Sequence, residues 1–86
     1  MEHNYQTILK VAQRASKLYE EITGKRRAVI EFTMDLQGCL AHQPLKLDEL
    51  LKADDSNFGH DVFGIMRYID HETDRLTDCF LPRYSV

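Results

Sequence analysis

Apolar side chains along residues 4–23 recur every three or four positions. Tyr5, Ile8, Leu9, Val11, Ala12, Ala15, Leu18, Tyr19 and Ile22 fall within about half of a helical cylinder at about 100° per residue. Gln6, Thr7, Lys10, Gln13, Arg14, Lys17, Glu20 and Glu21 occupy the other half, and only the small Ser16 and Thr23 intrude on the apolar side. Asn4 is placed to cap the N-terminus. Gly24 stands where a left-handed C-cap belongs. A face this wide predicts contact with two other elements rather than a narrow seam.

Residues 28–41, AVIEFTMDLQGCLA, support two readings. Ile30, Phe32, Met34 and Leu36 alternate with Glu31, Thr33, Asp35 and Gln37, as in a half-buried strand. Ala28, Val29, Phe32, Leu36, Cys39 and Leu40 also gather on one helical face. Helix is the better reading, because the stretch is long for a strand and has no partner strand to satisfy its backbone groups. The helix leaves Ile30 and Met34 off the main stripe, facing another element or a partner.

Pro44 forces Gln43 into an extended conformation, so residues 42–44 form a loop. Leu45 to Lys52 reads as a short helix that contributes Leu45, Leu47, Leu50 and Leu51 to the core. The last helix is expected from Asn57 to about Asp70, with Asp55, Ser56 and Asn57 as competent caps and Asp54 and Asp55 favouring its positive end. Phe58, Val62, Ile65, Met66 and Ile69 form its apolar stripe. His60, Gly64, Arg67 and His71 lie opposite. Residues 70–77 form a polar turn, and Phe80, Leu81 and Pro82 end an extended strap. The expected fold is all-α: a single helical domain over residues 1–86, a compact bundle of three main helices plus one short helix with an extended C-terminal strap.

Composition narrows the functional classes. Eighty-six residues make one domain with a thin core. No apolar run approaches the roughly 18 residues of a membrane span. The N-terminus lacks the basic-then-apolar order of a secretory signal, so Cys39 and Cys79 are expected as free thiols in a reducing compartment. The net charge is −3, unevenly spread. Residues 1–27 hold six basic side chains against three acidic ones, a net of +3, while residues 28–86 carry a net of −6. The acidic excess disfavours autonomous nucleic-acid binding. A regulator of that kind would use Lys10, Arg14, Lys17, Lys25, Arg26 and Arg27. Lys25, Arg26 and Arg27 themselves read as a solvated turn at the negative end of the first helix.

The doublets His60-Asp61 and Asp70-His71 raise the possibility of a metal site built on His60, Asp61 and Asp70. Ligands sharing one helix sit three or four residues apart, whereas His60 and His71 lie about 16 Å from each other on a helix, so they cannot hold one ion. Cys39-x-x-His42 with His71 and Cys79 has one spacing suited to zinc and one that is not. Neither cysteine sits in a nucleophile signature. Gly59 and Gly64 fall inside the expected helix, where a phosphate loop cannot form; they point instead to close packing. These patterns predict no metal, no cofactor and no catalytic residue.

The block Asp54-Asp55-x-Asn57-Phe58-x-His60-Asp61-Val62-Phe63-Gly64-Ile65-x-Arg67-x-Ile69-Asp70, continued through Thr73 and Leu76 to Cys79-Phe80-x-Pro82-Arg83, resembles a family of small proteins encoded by bacteriophages, prophages and related mobile elements. The likeness covers residues 54–83 and, more loosely, residues 44–48. It implies a short accessory gene and the cytoplasm of a bacterial host. It implies no activity, so no residue inherits a catalytic role. The resulting expectation is a non-enzymatic protein that binds a host or phage protein, including as an inhibitor of a host defence system. The expected interaction face is His60, Gly64, Arg67 and His71, and a homodimer is compatible with a thin core and the off-stripe Ile30 and Met34, which leave apolar surface to cover.

Overall fold

The structure, a computed structural model, describes residues 4–66. They form four helices and, among these residues, no strand: α1 (Tyr5–Thr23), α2 (Val29–Leu40), α3 (Leu47–Lys52) and α4 (Asp55–Met66). The all-α expectation holds, and the ambiguous segment 28–41 is helical from Val29 to Leu40. Its apolar stripe found a hydrophobic neighbour in α1, and no second strand exists among the described residues to satisfy a ladder. The strap, the polar turn, Arg67, Ile69, Asp70, His71 and Cys79 lie outside the described residues.

Helix α1 is the spine, packing against all three of the others. Its buried set is Ile8, Val11, Ala12, Ala15, Leu18 and Tyr19. This stripe is narrower than the apolar half of the cylinder, because Tyr5 and Ile22 at the two ends remain 50% and 40% exposed. Asn4 caps the helix, its side-chain oxygen accepting from the Gln6 N–H at 2.7 Å. Gly24 takes φ 74° and returns its N–H to the Glu20 carbonyl at 2.9 Å. That left-handed conformation suits glycine, which has no Cβ to clash. The two intruders in the apolar stripe organise the turn that follows. Ser16 donates its hydroxyl to the Arg27 carbonyl at 2.9 Å, and the Thr23 hydroxyl accepts from the Lys25 N–H at 3.0 Å.

Phe32, Leu36 and Cys39 of α2 enter the core, while Val29 and Leu40 pack at its margin. Ala28, expected on the stripe, is instead the exposed N-cap residue. Phe32 stands edge-on to Tyr19, ring centroids 5.6 Å apart, and meets Phe63 at 6.4 Å. This aromatic file joins α1, α2 and α4, and such pairs add about 0.5–1.5 kcal/mol beyond their burial.

Helix α3 begins at Leu47, two residues later than the leucine pattern suggested. Leu47 and Leu50 are buried, and Leu45 and Leu51 pack at the margin. Helix α4 begins at Asp55, two residues earlier than expected, because Asp54 supplies the cap. Its Oδ1 accepts from the Asn57 N–H at 2.8 Å and from the Asn57 side-chain amide at 3.0 Å. Asn57 is thereby buried with its amide group satisfied, inside the helix instead of at its cap.

Candidate functional site

Arg14 and Arg27 look from their sequence positions like surface cations. Neither is. Arg14 lies over the Phe58 ring, 4.3 Å from its centroid. Its guanidinium donates to the carbonyls of Leu50 (3.2 Å), Leu51 (3.3 Å) and Ala53 (2.8 Å), and to the Asp55 carboxylate (2.8 Å). A six-residue helix leaves most of its carbonyls without intrahelical partners, and Arg14 takes those at the end of α3. It also ties that end to the first turn of α4. Arg27, placed above in a solvated turn, is instead 16% exposed. It pairs with Asp35 at 2.6 Å and covers the Phe32 ring at 4.6 Å. The planar fork of arginine permits both uses at once. Two of the six cations that a nucleic-acid surface would draw on are therefore turned into the fold.

Cys39 is buried, and its thiol donates to the Ile65 carbonyl at 3.1 Å. Burial pushes the thiol up from its ordinary range, and the neighbouring Asp35 charge pushes it further the same way. A thiol held protonated is neither a ready nucleophile nor a ready metal ligand. His42, its partner in the zinc spacing, is exposed at the end of α2. Among the described residues no three His, Cys, Asp or Glu side chains converge as a metal would require.

The remaining candidates sit on α4. Asn57, Phe58, Gly59, Val62, Phe63, Ile65 and Met66 are all buried, so this helix is covered on most of its circumference. Phe63, which falls off the sequence-derived stripe, is fully buried because α4 packs against α1, α2 and α3 rather than one of them. Past the first turn, His60, Asp61 and Gly64 form the strip that stays partly open. His60 and Asp61 are 31% and 38% exposed, and His60 Nδ1 lies 3.3 Å from Asp61 Oδ1. The expected face thus contributes two described members, His60 and Gly64, which are half-buried rather than fully outward. Arg67 and His71 lie outside the described residues.

Asp61 also lines a shallow cleft of about 210 Å³ between α3 and α4. Leu45, Leu50 and Ala53 give it an apolar lining, and Lys46, Glu49, Asn57 and Asp61 supply the polar groups. Lys46 answers Glu49 at 3.9 Å, so the excess charge of the cleft is the negative one on Asp61. No pattern in the sequence announces this cleft, since it forms only when Leu45 and Ala53, on either side of α3, come beside α4. Arg14 ties two of its lining residues, Leu50 and Ala53, to the first turn of α4.

No described helix is long and apolar enough to cross a membrane. One family model matches residues 3–86, and its description reads "Family of unknown function (DUF6874)". No curated protein matches the chain, and no solved structure does.

Proposed function

We propose, for a chain that belongs to the family of unknown function DUF6874, that it is a non-enzymatic protein-binding module. Its partner presents an apolar side chain beside a lysine or arginine. The observation that carries this reading is the junction of the open α4 strip with the α3–α4 cleft at Asp61. The cleft accepts one apolar side chain against Leu45, Leu50 and Ala53, and Asp61 faces the cation next to it. His60 beside the carboxylate and Gly64 one turn on allow a partner backbone to approach closely. The likeness to accessory proteins of phages and mobile elements supports a host or phage protein as the partner, with inhibition of a defence complex as one outcome.

Capture from a bacterial lysate on immobilised protein tests the site. The reading expects a protein retained by the wild-type chain and by Lys17→Ala, but lost with Asp61→Arg and weakened with His60→Ala. Retention that is indifferent to Asp61→Arg would contradict it.

A further inference from the structure

The outer side of α2 is a second surface, independent of the α4 strip. Ile30 is 57% exposed and Met34 63%, the highest values among the large apolar side chains described. They stand one turn apart, and the same stripe continues through Gln37, Gly38 and Ala41, all exposed. Gly38 is the telling member. It lies inside a helix, where glycine costs about 1 kcal/mol relative to alanine. Its φ is not positive, and a Cβ built on it meets nothing within 4 Å. The contacts of the described fold therefore give no reason for a glycine there. A backbone or bulky side chain approaching from outside would.

We infer that this stripe is an isologous interface with a second copy of the chain, the two α2 helices packing antiparallel across a two-fold axis at Met34. The stripe is complementary to itself in that arrangement. With Met34 opposite Met34 of the other copy, Ile30 falls opposite Gly38 and fills the space its missing side chain leaves. Glu31 falls opposite Gln37, a carboxylate against an amide. A parallel pairing would instead set Glu31 against Glu31, and like charges directly apposed are unfavourable. The antiparallel arrangement also brings Arg26, exposed just before α2 and 3.4 Å from Glu20 of its own chain, towards the carbonyl end of the other α2, where the helix dipole is negative. A two-fold axis requires this reciprocity, residue against residue in both directions. An interface built on one helix of 12 residues is small against the roughly 1,000 Å² of a tight complex, so the association is reversible and in the micromolar range.

Sedimentation equilibrium on the full chain, from micromolar to millimolar concentration, tests this. The wild type should show a monomer–dimer equilibrium. Ile30→Glu and Gly38→Leu should each weaken association at least about tenfold, or about 1.4 kcal/mol, with helical circular dichroism unchanged because both positions are exposed. Gln37→Lys should tighten it, since the new cation faces Glu31 of the other copy. A wild-type chain that stays monomeric across the range overturns the inference, whether a different protein or another part of this chain covers the stripe. So does a dimer that Ile30→Glu and Gly38→Leu leave intact, and a Gln37→Lys chain that associates no more tightly overturns the register.

Discussion

Arg14 makes four hydrogen bonds and a ring contact from a position that reads as the solvated side of an amphipathic helix. Arg14→Ala should lower stability by about 1.5–3 kcal/mol, from the lost bonds to carbonyls and the lost stacking on Phe58. Asp55 is 68% exposed, so Asp55→Ala should cost no more than about 1 kcal/mol. Urea denaturation of the two variants separates the cases: equal losses would mean that the Arg14–Asp55 ion pair carries the contribution, not the carbonyls of α3. Arg27 and Asp35 are more enclosed, 16% and 14% exposed. Asp35→Ala should therefore cost about 2–4 kcal/mol, because it strands a half-buried guanidinium. Neither arginine could be assigned inward from the sequence. Their partners are carbonyls at the end of a short helix and a carboxylate eight residues on, and a 3.6-residue pattern carries no information about either.

Cys39 makes a pH prediction of definite sign. Its folded-state value is raised, so the folded form holds the thiol proton more firmly than the unfolded form does. The contribution is complete below the ordinary thiol range and is lost as pH rises through the raised value. In a Cys79→Ser chain, a thiol reagent at mildly alkaline pH should react with Cys39 only as fast as the protein opens. Reaction at the rate of a free thiol without unfolding would show that the hydrogen bond to Ile65 does not protect it.

At the scale of elements, the sequence was most legible where side-chain chemistry acts locally. Asn4 and Gly24 delimit α1 as the capping rules require, because both act through backbone groups within four residues. Gly24→Ala should destabilise by about 1 kcal/mol, since φ 74° crowds a Cβ. Asp54→Ala should cost about the same through the lost cap of α4. Thermal unfolding that leaves either variant at the wild-type midpoint would remove that cap from the account. The start of α4 was misplaced for an informative reason. Asp54, Asp55, Ser56 and Asn57 are all competent caps, and Asp54 takes the role because its carboxylate accepts from both the backbone and the side chain of the buried Asn57. Helix α2 was legible through the two positions that fit its stripe least. Ile30 and Met34 are exposed as the helical reading requires.

For the whole molecule, the apolar stripes of four helices were enough to specify an all-α bundle, but not which helix would lie deepest. Phe63 shows why. A stripe is inferred on the assumption of one buried face, and α4 is enclosed by three neighbours. Phe32→Ala and Phe63→Ala remove fully buried members of the aromatic file and should each cost about 3–5 kcal/mol, enough to unfold a domain of this size. The cleft was invisible for a related reason, since its wall and its charge come from separate elements whose meeting depends on Arg14. Its role as a binding site is the central claim, and one titration addresses it most directly. Calorimetry of the captured partner against the wild-type chain and Asp61→Arg should show affinity falling by at least about tenfold while the melting temperature of the free variant stays at the wild-type value. Equal affinity for the two chains would contradict the account, as would a loss of binding that merely follows a loss of stability.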